Sequence, residues 1–142
     1  MVGLRFNHME LTLPVGTLTE AFTADVATFY GDVFGFTSST GRLFDQPTQT
    51  LMLPDAAFLL LIEGDAPMSA PGYDHLGFEL GSVAEVDESL AKVKAWQQRD
   101  ARLLLEEQPA GTLDGRHYPR AYYVRHLLPL WIDVQYSEAV PA

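Results

Sequence analysis

The chain has 142 residues, 47% of them hydrophobic and 11% aromatic, which is enough for one ordinary domain with a core and too apolar for a disordered segment. Nine Lys and Arg stand against nineteen Asp and Glu, and the net charge of −10 opposes a phosphate backbone, so no nucleic-acid partner is expected. The absence of cysteine removes disulfides, thiolate nucleophiles and Cys-based metal sites, so any metal must be held by His and carboxylate.

The start of the chain, MVGLRFNHMEL, lacks the basic opening and apolar core of a signal peptide, and no apolar run nears the roughly 20 residues of a membrane span. A soluble, cytoplasmic protein without a membrane partner is expected. The first strand reads FNHMELTL (6–13). Alternation puts Phe6, His8, Glu10 and Thr12 on one face and Met9, Leu11 and Leu13 on the other. Thr17 with Glu20 has the form of a capping box, and Phe22, Val26, Phe29 and Val33 give the following helix one apolar face. Three strands are expected at 36–39, 48–53 and 57–63, with turns at Ser39-Thr40-Gly41 and Pro54-Asp55.

Residues 64–72, with two prolines and two glycines, read as a linker. The pattern then repeats. YDHLGFEL (73–80) matches FNHMELTL at an offset of 67 residues, with an aromatic, a polar residue, His, an apolar residue and a Leu five places after the His. Alternation in this copy sets Tyr73, His75, Gly77 and Glu79 against Leu76, Phe78 and Leu80. Ser82 with Glu85 forms a second capping box, and Val83, Val86, Leu90 and Val93 form a second apolar stripe. Strands follow at 102–106, 121–125 and 130–136, with a long loop over 108–119. Each half is therefore strand, helix, then three strands: module one over 1–65 and module two over 73–138, in a single domain spanning 1–142. Neither module buries its sheet alone, so the two pair within one chain or by exchange between two. In the last strand Trp131, Asp133 and Gln135 share one face, and a carboxylate on a half-buried face needs a hydrogen-bond network, a cation or a metal.

A His in strand one, a helix ending in FYGDVFGF (29–36), a His in the matching strand of module two and a carboxylate in the last strand together resemble the vicinal oxygen chelate superfamily. That superfamily includes glyoxalase I, extradiol dioxygenases, and the fosfomycin and bleomycin resistance proteins. The resemblance implies an α+β fold in which two βαβββ modules pair into a curved mixed sheet around a concave cavity. It also implies a divalent metal, Fe(II) or Mn(II), on His8, His75 and Asp133, a facial set that leaves about three positions open. The alternative is a hydrogen-bonded cluster of the same residues with no metal. The fourth ligand of glyoxalase-like members, a Glu in the last strand of module one, is missing, since this chain has Leu59, Leu60 and Leu61 there.

Gly115-Arg116-His117 ahead of Tyr123 is similar to the outer His and Tyr of extradiol dioxygenases, which implies a proton-transferring His117 and a substrate-contacting Tyr123. The alternative is a solvated His and a packing Tyr. Glu10 and Glu79 offer a general base, or else orient an imidazole. Phe6, Glu10, Tyr73, Trp131 and Gln135 are the expected substrate contacts. The apolar turn at 127–130 suggests a dimer interface or a cavity wall. The expected function is a metal-dependent enzyme acting on a small aromatic or oxygen-chelating substrate, in its most specific form a ring-cleaving dioxygenase. The alternative is a non-catalytic small-molecule-binding protein of the bleomycin-resistance type. Either acts as a homodimer.

Overall fold

The computed structural model describes residues 1–141 and divides between Met68 and Ser69, inside the expected linker, into two units. The first unit runs β1 (His8–Pro14), α1 (Glu20–Phe34), β2 (Thr37–Leu43), β3 (Gln46–Met52) and β4 (Phe58–Gly64). The second runs β5 (His75–Glu79), α2 (Val83–Arg99), β6 (Leu104–Gln108), β7 (Gly111–Leu113), β8 (Arg116–Arg125) and β9 (Trp131–Ala139). The fold is α+β, and each unit is a βαβββ module, with β7 added in the second. In both sheets the first strand lies parallel to the last and the remaining strands add antiparallel. The orders are β1-β4-β3-β2 and β5-β9-β8-β6, with β7 on β8.

The expected alternation is present in both units. Leu11 and Leu13 are buried with Leu51, Leu59 and Leu61 and with Val26, Phe29 and Val33 of α1, while His8 and Glu10 are exposed. In the second unit Tyr122, Val124, Ile132 and Val134 are buried with Val86, Leu90 and Val93 of α2. Each such side chain contributes roughly 1.5–3 kcal/mol by leaving water. Two polar groups tie helix to sheet inside these cores. Fully buried Gln49 donates to the Thr23 carbonyl and to Ser38 Oγ, and the Tyr122 hydroxyl donates to Ser89 Oγ at 2.9 Å.

Several local expectations are corrected. The N-cap of α1 is Thr19, which accepts from Phe22 N, because Thr17 Oγ1 is already turned back onto the Pro14 carbonyl at 2.6 Å. Ser82 does cap α2, accepting from Glu85 N. The turn expected at 39–41 is absent. β2 runs on to Leu43 and the chain reverses at Phe44-Asp45, both with positive φ (49° and 61°), as a two-residue hairpin turn of type I′ requires. The loop expected over 108–119 is largely the β7–β8 hairpin, turning at Asp114-Gly115 with φ of 50° and 73°. Leu128 and Leu130 are buried rather than forming an exposed apolar tip. No helix among the described residues is long and apolar enough to cross a membrane.

One ionic clamp, exposed at Arg102 and buried at His126, joins the end of α2 to the end of β8. Asp100, the C-cap residue, accepts from Arg102 Nε at 2.9 Å and from Arg102 Nη2 at 2.7 Å, and its carboxylate lies 3.4 Å from Nε2 of His126, which is 1% exposed. The Arg102 hydrogen bonds, opposed by burial and helped by charge on His126, hold the Asp100 carboxyl at about 2 against an ordinary 3.8. A carboxyl depressed in the folded state stabilises fully above its unfolded value and loses that contribution as pH falls through the folded one. Asp100→Asn is therefore expected to flatten the fall of Tm between 3.8 and about 2 relative to wild type, and identical acid slopes would rule out the clamp as a source of stability.

Candidate functional site

The site begins with strand register. In the parallel pair β5 and β9, His75 lies beside Trp131, Gly77 beside Asp133 and Glu79 beside Gln135. Across β9, Tyr123 of β8 lies opposite Asp133 and Ala121 opposite Gln135. Paired residues share a face, so His75, Asp133, Gln135, Ala121 and Tyr123 all point to one side, where they line a cavity of about 340 Å³. The β6–β7 segment closes one flank of the cavity with Gln108, Pro109, Thr112 and Leu113, and Tyr118 joins from β8. An aromatic group borders the site. The Tyr123 ring is 4.9 Å from His75, and Trp131 lies 5.5 Å from Tyr73, whose hydroxyl donates to Glu106 at 2.8 Å.

The electrostatics concentrate on Asp133. It is 8% exposed, its Oδ1 has no hydrogen-bond partner, and its Oδ2 stands 3.6 Å from Nε2 of His75. Burial raises its carboxyl above the ordinary value, with the charge of His75 opposing. His75 Nδ1 lies 2.9 Å from the Tyr73 carbonyl, which only accepts, so Nδ1 carries a proton. In the neutral ring the Nε2 lone pair then faces a carboxylate oxygen, an arrangement that a proton or a metal ion must bridge. The 3.6 Å gap is close to the roughly 3 Å between adjacent donors on an ion with bonds of about 2.1 Å. The donor pair thus fits a divalent metal.

His8 repeats this arrangement in module one. Its Nδ1 is 2.6 Å from Asn7 Oδ1, which leaves Nε2 as the free donor, and its ring stacks on Phe58 at 4.8 Å. The register places His8 beside Phe58 and Glu10 beside Leu60, so Leu60 is the counterpart of Asp133 and Glu10 that of Gly77. The carboxylate of module one has moved to the neighbouring strand at the same level. Phe6 lies exposed ahead of β1. Within either unit, no three His, Asp or Glu side chains among the described residues converge as a metal site.

Two expected catalytic groups are turned elsewhere. A bulge between His117 and Arg120 inserts one extra residue into β8, so His117 pairs with Glu138 and Thr112, and Tyr118 takes the place on the cavity wall. Glu79 does not line the cavity. Its Oε1 accepts from Ser137 N at 3.1 Å and from the Ser137 hydroxyl, and Arg116 lies 4.0 Å away. Tyr123 and Gln135 do line the cavity, and Tyr73 and Trp131 stand at its border. Sequence reading missed Gln108, Thr112 and Tyr118. The Asp114-Gly115 pair was the available hairpin signal.

No protein-family model matches the sequence, and no curated protein matches it. Solved structures do match it. The fosfomycin resistance protein FosX of Listeria monocytogenes, complexed with Mn(II) and a dihydroxypropylphosphonic acid, is 17% identical over 95% of this chain and 92% of its own, with a TM-score of 0.60. A candidate glyoxalase from Bacillus cereus is 20% identical over 94% of this chain and 99% of its own, at 0.62. A glyoxylase/bleomycin resistance protein/dioxygenase domain from Frankia sp. EAN1pec is 14% identical over 97% and 99%, at 0.60. The fold is that of the vicinal oxygen chelate superfamily.

A buried acceptor with no donor costs about 1–3 kcal/mol, and more when charged. Asp133→Asn in metal-free protein is therefore expected to raise stability in urea titrations by about 1 kcal/mol. A destabilised variant would mean that the carboxylate is already compensated.

Proposed function

We propose that the protein is a metal-dependent enzyme of the vicinal oxygen chelate type, acting on a small aromatic or oxygen-chelating substrate. The supporting observation is the buried Asp133 carboxylate, with one oxygen unpartnered and the other facing His75 Nε2. In this reading His8, His75 and Asp133 would hold a divalent ion, Fe(II) or Mn(II), which would supply Lewis-acid chemistry to an oxygen-bearing substrate. The protein's own groups orient the substrate. Burial, and then the charge of Asp133, raise the Tyr123 hydroxyl above its ordinary value, so it stays protonated and donates to a substrate oxygen. Gln135 fixes a second polar group on the same wall. Ring cleavage of a catechol is the most specific form of this reading, with Tyr123 rather than His117 beside the substrate. The protein works as a homodimer.

The test is elemental analysis of protein purified anaerobically without chelator. About one Fe or Mn per chain is expected in the wild type and none in His75→Ala, and a metal-free wild type that takes up no added Fe(II) or Mn(II) would sink the reading. A second substitution probes the space beside the carboxylate. No atom lies within 4 Å of where a Cβ on Gly77 would stand, and its backbone is ordinary, so neither packing nor conformation requires glycine there. Strand glycines without such a reason often mark close approach of a ligand. Gly77→Val is expected to keep the wild-type Tm while weakening binding of a catechol by about tenfold or more. Unchanged binding would place the substrate elsewhere.

The aromatic border of Tyr73, Tyr123 and Trp131 favours one other reading, a protein that sequesters an aromatic compound without turning it over. Recovery of a tightly bound ligand, chemically unchanged, from metal-free protein would select it.

A further inference from the structure

The cavity of the second module has a wall of uniform character. Gln108, Gln135, Tyr118 and Tyr123 each bring a group that both donates and accepts, or one of each kind, and none is charged at neutral pH. None of the described residues lining the cavity is a lysine or an arginine. The cations nearby in sequence are held at other places. Arg102 is on Asp100, Arg120 is 2.8 Å from Asp87, Lys94 is 3.2 Å from Glu107, and Arg116 bonds Ser137. Arg125 shares the face of Tyr123 but does not line the cavity. The fixed charge inside is negative, from Asp133, and its Oδ1 still requires a donor.

We propose that this cavity takes an uncharged, planar, hydrogen-bonding ligand, such as an aromatic amide or phenol, and rejects carboxylates and phosphonates. The proposal rests on the reading of this cavity as the ligand's place. An anion here meets Asp133 at close range, and the one group able to carry a positive charge on the wall, His75, is already turned onto that carboxylate 3.6 Å away, so an anion gains no cation of its own and like charges juxtaposed in a desolvated site cost several kcal/mol. A neutral amide or phenol brings the N–H or O–H that Oδ1 lacks, and it is satisfied by amide and hydroxyl partners whichever way it is turned. The volume of about 340 Å³ lies at the lower end of small-molecule sites, which suits one substituted ring. Pro109 and Leu113 supply apolar faces for that ring.

Salicylamide and salicylate test this directly, since they share a ring and a vicinal oxygen pair and differ at neutral pH in charge. Calorimetric titration of the full chain, stripped of metal with chelator, isolates the wall from any attraction by an ion. Salicylamide is expected to bind about tenfold or more tightly than salicylate. Leu113→Lys, at an exposed position, is expected to cancel or reverse that preference, and Arg125→Met to leave it unchanged. Equal or tighter binding of salicylate, no saturable heat from either compound up to its solubility limit, or an unmoved ratio in Leu113→Lys would each overturn the proposal. The metal reading fails separately: a chain that takes up no metal but still prefers salicylamide keeps this inference and loses that one.

Discussion

Parallel pairing between the first and last strands of each module is the constraint on which the rest depends. Two parallel strands in register set paired side chains side by side on one face, so a His on the first strand and a carboxylate one level along on the last become neighbours without any loop having to place them. A slip of one residue in β9 would send Asp133 into the core beneath α2 and bring Ile132 or Val134 into the cavity. The apolar residues that alternate with the site residues therefore do two jobs. They form the core with the helix, and in doing so they hold the register that presents His75 and Asp133 together.

That arrangement sets stability against chemistry. Asp133 is buried on a central strand, hydrogen-bonded on both sides by β5 and β8, where it cannot relax toward water. Other carboxylates and hydroxyls of the two cores find local partners: Glu63 accepts from Leu18 N at 2.7 Å, Asp100 holds Arg102, and Tyr122 meets Ser89. Asp133 is the exception among these carboxylates. A sequence tolerates such a group most readily where something outside the fold completes it.

Much of this was legible before any coordinates. The duplicated His motif, the two apolar helix stripes and the alternation in β1, β5 and β9 are periodic signals, and periodicity survives tertiary context because it is what the core selects. What escaped was local or depended on a single inserted residue. Thr17 completes a capping box with Glu20 that Thr19, with Phe22 three places on, does not, and only the turn at Pro14 takes Thr17 away from the helix. Phe44-Asp45 carries no turn signature, because aromatic residues rarely adopt positive φ. The β8 bulge exchanged His117 for Tyr118 on the cavity wall, and a bulge leaves almost no mark in sequence. Leu127 to Leu130 looked like an exposed tip because the turn is apolar, yet alternate residues of it, Leu128 and Leu130, are buried.

The two hairpins differ in how firmly they are held. β2 is exposed along all seven residues, is bonded to β3 alone, and turns through two non-glycine residues in the left-handed region. β8 turns through Asp-Gly and is flanked by strands on both sides. Opening therefore has a natural direction. Fraying starts at β2, where few buried contacts resist it and turn strain is released, and its amides should exchange with solvent hydrogen through low-energy local openings. The amides of β9 should exchange only when the second unit comes apart as a whole. The strand that carries the carboxylate is thus among the last to see solvent, and fluctuation at the edge of module one can proceed without disturbing it.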